Sequence, residues 1–193
     1  GCTIKPALAP SAAREIAKRL VEAERPVIHA GGGVLLAQAS EELAALAEFL
    51  DIPVSRTLMG QGCLSDRHPL MVGQTGFWGL DFTHELTTNA DVILGLGTRF
   101  AEADCSSWYP GVTFNPEKTT FLQIDIDPTE IGRILEINRE VFESLCRVEL
   151  AQQLEHSLCA ALAVVIFELA SELCKRFDRL FAQSVQPLKL RRC

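Results

Sequence analysis

Four stretches of this sequence combine residue types that suit phosphate or nucleotide chemistry. Gly31-Gly32-Gly33 carries no side chains, so its backbone N–H groups can come close to a phosphate. The same run equally suits a tight β-to-α turn that needs positive φ. Gly60-Gln61-Gly62 is a second bare loop, readable as a ligand-facing turn or as plain flexibility. Gly95-Leu96-Gly97-Thr98-Arg99-Phe100 starts like the dinucleotide pattern G-x-G-x-x-G, but Phe100 stands where the last glycine belongs. Arg99 can meet a phosphate or an adenine edge, or close an ion pair within the domain. Asp125-Ile126-Asp127-Pro128-Thr129-Glu130 supplies carboxylates able to accept from ribose hydroxyls. Asp127 has a rival use as a helix N-cap, with Pro128 at the first helical position and Glu130 closing a capping box. Asp125, or the backbone between the two aspartates, is therefore favoured for ligand contact.

Other reactive groups are scattered. His29, His68, His84 and His156 show neither metal-ligand spacing nor a nucleophile motif, and read as packed or surface imidazoles. Seven cysteines include no C-x-x-C pair, so reduced thiols in a cytoplasmic compartment are expected. Trp78, Trp108 and Tyr109 read as loop or core aromatics, although Phe77-Trp78 could cover a flat ring beside its glycine loop. No pair of carboxylates is placed for acid–base work.

The elements that position these stretches alternate. Ser11 to about Ala23 reads as a helix with an Ile16, Leu20, Val21 stripe, and Ser40–Leu50 as another with Leu43, Leu46, Ala47 and Leu50 on one face. A short helix is expected from about Asp81 to Thr88. Pro26–His29, Pro53–Thr57, Asp91–Leu96 and Thr119–Ile124 read as strands, and Gly60–Gly79 as a glycine-punctuated stretch. Apolar strands separated by helices indicate a doubly wound α/β domain, a Rossmann-like parallel sheet covered on both faces. In such sheets ligands bind beyond the carboxyl ends of the strands, where the four stretches fall.

Composition divides the chain. All 13 glycines precede Arg133. Residues 1–133 carry 17 acidic and 10 basic side chains, accounting for the whole net charge of −7. Residues 134–193 carry eight of each sign, which places a boundary near Arg133–Ile134. Beyond it, apolar residues at 158, 161, 162, 165, 166, 169, 173, 177, 180 and 181 follow helical periodicity. The helical tail is expected to pack on the sheet, to pair with another chain, or to be an accidental sequence. The net charge disfavours nucleic acid as a partner, and no apolar run approaches the roughly 18 residues of a membrane span. Gly1-Cys2-Thr3-Ile4-Lys5-Pro6 reads as a cut edge rather than a true terminus.

Five motifs in order carry a resemblance: PVIHAGGG (26–33), TLMG (57–60), MVGQTG (71–76), ADVILGLGTRF (90–100) and QIDIDPTEIG (123–132). Over about residues 8–133 the chain resembles the central domain of thiamine-diphosphate-dependent enzymes of the acetolactate (acetohydroxyacid) synthase type. That resemblance implies a six-stranded doubly wound domain between a pyrimidine-binding and a diphosphate-binding domain. It implies FAD or ADP, where a nucleotide is held, among Gly31, Gly32, Gly33, Thr57, Leu58, Met59, Gly73, Gln74, Thr75, Gly76, Gly97, Thr98, Arg99, Asp125, Ile126 and Asp127. Gln74-Thr75 stand where flavin-binding synthases show Met-His, and Phe100–Asp104 depart from their F-D-D-R.

The family's chemistry needs a Glu of the first domain and a Gly-Asp-Gly…Asn segment of the third, which holds Mg²⁺ and the diphosphate. No Gly-Asp-Gly occurs in this sequence, and no last strand is recognisable after Arg133. The expectation is a middle domain or fragment of a thiamine-diphosphate- and Mg-dependent carboligase, acyltransferase or decarboxylase. Its partners would be the remaining enzyme domains or a second copy of the chain. The rival reading is a free-standing nucleotide-binding or oligomerisation module without catalysis.

Overall fold

The computed structural model describes residues 10–105, 109–127 and 129–133. Ten regular elements run in the order α1 (Pro10–Glu22), β1 (Pro26–Ala30), α2 (Gly32–Leu36), α3 (Ser40–Leu50), β2 (Val54–Arg56), β3 (Met71–Gln74), α4 (Asp81–Thr88), β4 (Val92–Leu96), α5 (Glu102–Cys105) and β5 (Thr120–Ile124). A 3₁₀ turn at Leu58–Gly60 follows β2. All strand pairs are parallel, in the spatial order β3-β2-β1-β4-β5.

Local chemistry explains most of this. Ala13, Ile16, Ala17 and Leu20 lie on one stripe of α1 and are buried. Leu43, Leu46 and Ala47 do the same for α3. β1, β4 and β5 are buried at nearly every position, so they read as apolar runs rather than alternating ones. One face of the sheet, with Ile28, Ala30, Val54, Leu94 and Leu122, packs on α1, α2 and α3. The other, with Val27, Ile93 and Phe121, packs on Leu86 of α4, Cys105 of α5 and the rings of Phe100 and Phe114. Each Leu or Ile moved from water into these layers contributes about 1.5–3 kcal/mol before entropy is counted.

Three elements differ from the sequence expectation. β3 lies inside the stretch read as loop from Gly60 to Gly79. It is a half-buried edge strand of four residues whose pairing slips between Val54 and Ser55, with Gly73 at φ +100°. Neither alternation nor a buried run betrays such a strand. α2 opens with two glycines, poor helix formers held here by tertiary contact rather than propensity. α5 is a single turn of four residues. The tail from Ile134, the N-terminal run Gly1–Pro6, Trp108 and His156 lie outside the described residues, as does the boundary proposed near Arg133–Ile134 on its far side.

The chain visits β1, then β2 and β3 on one side, and returns to place β4 on the other side of β1. The switch point therefore lies between β1 and β4. Gly31 and Gly33 meet Gly97 there, backbone against backbone. A Cβ on Gly33 would sit 2.6 Å from the Gly97 Cα, and a Cβ on Gly97 would sit 2.6 Å from the Gly33 Cα. Gly97 also has φ +55°. Gly97→Ala is expected to destabilise the chain by about 2–4 kcal/mol, combining left-handed strain with overpacking. Gly62→Ala, at φ +91° with nothing within 4 Å, carries the strain alone. Urea unfolding of both variants checks this: equal losses would mean that the contact contributes nothing.

Candidate functional site

Parallel pairing brings the carboxyl ends of all five strands to one rim. Gly31–Gly33 follow β1, Thr57–Met59 follow β2, Gly73–Gly76 end β3, Gly97–Arg99 follow β4 and Asp125–Asp127 follow β5. Cross-contacts tie these segments together. The Gly31 N–H donates to Leu96 O at 2.9 Å, and the Gly33 N–H to Gly97 O at 3.0 Å. Met59 covers Gly32, since a Cβ there would be 3.1 Å from the Met59 carbonyl oxygen. Thr57 is buried; its N–H donates to Ala30 O at 3.0 Å and its Oγ1 accepts from the Gly60 N–H at 3.0 Å. Gly76, at φ +87°, lies against the backbone of Ala103 and Asp104 in α5.

The glycine run thus has a reason neither sequence reading contained. Two of its three N–H groups are spent inside the chain, which removes them from any phosphate cradle. None of the three has positive φ: Gly31 and Gly33 are bare because β4's loop crosses them at contact distance, and Gly32 lies under Met59. Phe100 also resolves differently. It occupies the left-handed region at φ +51°, a conformation that favours glycine. Its ring drops onto Gly95, where a Cβ would be 2.8 Å from two ring carbons, and stacks on His29 with centroids 5.3 Å apart. Burying the phenyl ring offsets a backbone strain of about 1–2 kcal/mol.

The capping box expected at Asp127 is not formed. The Asp127 carboxylate accepts from the Thr129 N–H at 2.9 Å and the Thr129 hydroxyl at 2.7 Å, and Glu130 turns away to Arg133. Among the described residues, 129–133 form turns rather than a helix. Those Thr129 hydrogen bonds hold the Asp127 carboxyl below the usual range. Asp125 is half-buried; its Oδ1 accepts from the Asp127 N–H at 3.0 Å, and burial raises its carboxyl. Leu58, Met59 and Ile126 are exposed, as is Arg99, whereas Thr98 and Thr75 are buried. The Thr75 hydroxyl has no hydrogen-bond partner among the described residues.

Several residues that organise the rim escaped sequence reading. Asp104 is buried and its Oδ1 accepts from the Leu58 N–H at 3.3 Å, pinning the loop after β2 to α5. Burial raises its carboxyl, against the pull of Leu58 and of the Arg99 charge. Gln123 bridges three segments: its Nε2 donates to Thr98 O at 2.8 Å and to Glu130 O at 3.3 Å, while its Oε1 accepts from the Gly132 N–H at 3.1 Å. Arg56, at the end of β2, is buried and donates through Nη2 to Asp66 at 3.0 Å. Their partners are many residues away, so spacing carries no signal for them.

The fold and this rim define a doubly wound parallel α/β domain whose glycine-lined switch point faces the carboxyl side. The family model for the thiamine pyrophosphate enzyme, central domain, matches residues 13–150. The chain belongs to this family. A probable acetolactate synthase large subunit of Methanocaldococcus jannaschii is 42% identical over 120 residues, 62% of this chain and 20% of that protein. Glyoxylate carboligase of Escherichia coli O157:H7 is 41% identical over 132 residues, 68% of this chain and 22% of that protein. The solved structure of benzoylformate decarboxylase from Polynucleobacter necessarius shares the fold at a TM-score of 0.60 and 20% identity, covering 88% of this chain and 29% of that one. The chain therefore spans about a fifth of the length of these curated relatives.

Beneath the rim, a row of side chains crosses the second face in register: Ser55, His29, Gly95 and Gln123. His29 is fully buried, with Nδ1 3.0 Å from Ser55 Oγ, and that hydroxyl donates to Ile28 O at 3.3 Å. This chain of bonds puts the proton on Nδ1 and leaves Nε2 without a partner among the described residues. Burial lowers the His29 pKa from 6.5 to about 3. Below pH 6.5 the unfolded chain binds a proton on this ring that the folded chain refuses, so acid favours unfolding until about pH 3. His29→Gln is expected to flatten the stability–pH curve across that window by roughly 1.4 kcal/mol per pH unit. Asp104 and Asp125, whose raised carboxyls act in the opposite sense, are common to both proteins and cancel in the difference. Denaturant titrations at pH 4, 5, 6 and 7 measure it; parallel curves would mean that His29 is not held neutral.

Proposed function

We propose that this chain is the middle domain, or a fragment containing it, of a thiamine-diphosphate- and Mg²⁺-dependent carboligase, acyltransferase or decarboxylase of the acetolactate synthase type. In this reading it contributes a site for FAD or ADP and contacts to the remaining domains. The observation that carries the reading is convergence: five motif segments from five strands meet on one rim, on either side of the β1/β4 switch point. Open α/β sheets bind ligands at that place.

The residues present fit a nucleotide in part. Arg99 is exposed on the rim and suits a phosphate. This reading assigns ribose hydroxyls to Asp125 through Oδ2, since its Oδ1 accepts from the Asp127 N–H. Exposed Met59 and Ile126 offer apolar flanks to a flat ring. Gly31 and Gly33 contribute close packing rather than donors.

Thiamine diphosphate and Mg²⁺ belong, by family resemblance, to the other two domains of the complete enzyme. There they supply the chemistry by which a 2-oxo acid loses CO₂ and the remaining acyl unit passes to an acceptor. This chain's own residues position the nucleotide and hold the rim rigid. A cytoplasmic setting accords with Cys63 and Cys105, which are buried free thiols; burial raises both, Cys105 to about 12. Among the described residues no helix is long and apolar enough to cross a membrane.

Calorimetric titration of the chain with FAD and with ADP tests the nucleotide site. Saturable binding of one of them is expected, with Arg99→Ala weakening it about tenfold, the loss of one charge-assisted contact. A chain that unfolds cooperatively yet binds neither ligand would reject the nucleotide part of the reading.

A further inference from the structure

At the amino end of the sheet, opposite the candidate site, a groove of about 470 Å³ opens between α4 and the starts of β1 and β2. Its walls are Phe82 and Leu86 of α4 with Pro26, Val27 and Pro53. Phe82 remains 54% exposed, a large apolar side chain left facing solvent beside this lining. Three carboxylates, Glu24, Asp51 and Glu85, stand around it against the single cation Arg25. Arg25 Nε donates to Asn89 O at 2.8 Å, which fixes the guanidinium without cancelling its charge, and the carboxylates outnumber it, so the rim stays negative. An occupant must therefore bring apolar side chains flanked by positive charge.

Residues 173–181 of this same chain have that composition. Leu173, Phe177, Leu180 and Phe181 fall at helical spacing; Lys175, Arg176 and Arg179 lie between them against a single acid, Asp178, so the segment is net basic. The segment begins 40 residues after Arg133, the last described position. At roughly 3.3 Å per extended residue such a linker spans the domain several times over. Tethering also raises the local concentration of the segment to the order of millimolar, an advantage no separate chain has. The groove is smaller than the roughly 20–30 residues a side used by a standard association between separate chains. We propose that the basic amphipathic segment 173–181 docks intramolecularly into the acidic-rimmed apolar groove between α4 and the amino end of β1 and β2.

Zero-length carbodiimide cross-linking of the full chain tests this, using an equal mixture of ¹⁴N- and ¹⁵N-labelled protein and peptide mapping by mass spectrometry. The expected product joins the Lys175 amine to Glu85, Glu24 or Asp51 within one chain. Mixed ¹⁴N/¹⁵N cross-linked peptides at the statistical level, about half of the product, would overturn the proposal in favour of a second copy of the chain. Lys175 linked only to other carboxylates, or to none, would overturn it as well. Paired Arg176→Glu and Arg179→Glu substitutions provide a second readout in the intact chain. Loss of the cross-link and about fivefold faster amide exchange in α4 are expected; exchange unchanged by the charge reversal would contradict docking.

Discussion

The backbone contact between the loop after β1 and the loop after β4 is the constraint on which the carboxyl rim depends. Gly31 and Gly33 donate to Leu96 O and Gly97 O, and neither loop leaves room for a Cβ at the crossing. A doubly wound sheet separates its crossovers at the switch point, so this is where the rim would naturally open. Here the opening is narrowed by two hydrogen bonds, one to the last residue of β4 and one to the loop beyond it, and the segments further out are set relative to that clasp. Gly60 packs under Ala30, Met59 lies over Gly32, and Thr57 hangs from Ala30 O. A change at Gly97 would therefore be felt across three strands.

Buried polar groups extend the clasp outward. Asp104 reaches the loop after β2, Gln123 holds both the loop after β4 and the turn before Arg133, and His29 with Ser55 fills the face beneath. Such groups are useful only when satisfied, because each buried donor or acceptor left alone costs about 1–3 kcal/mol. Gln123 meets that condition through three bonds. His29 meets it at one nitrogen only, and the resulting bias against its charged form makes the sheet interior sensitive to acid. Rigidity of the rim and this acid limit share one origin, polar side chains in register on a buried face.

Much of the architecture is legible in the sequence. α3 and α4 have the bounds that their apolar periodicity and first-turn acids suggest, and β1, β4 and β5 fall within a residue or two of the apolar runs. β3 was not legible, because a short edge strand with a positive-φ glycine carries neither signal. Site legibility was of another kind. Small residues following strands pointed to segments that the topology gathers on one rim, but nothing in their spacing announces the contact of Gly31 and Gly33 with Gly97, 64 and more positions away in sequence. Asp104 and Gln123 were missed for the same reason, their partners being set by topology and not by spacing. Phe100 shows the limit of pattern matching, since it takes a glycine's backbone region while its ring makes the core contact.

The claim most worth testing is that the glycine crossing opens only when the whole domain does. Amide hydrogen exchange followed by NMR, with increasing sub-denaturing urea, reports on this through the Gly31 and Gly33 N–H groups. The account predicts exchange free energies equal to global unfolding and the same urea dependence as the central amides of β1 and β4. Exchange at markedly lower free energy, with no urea dependence, would mean that the loops part on their own and that the rim is not held by this contact.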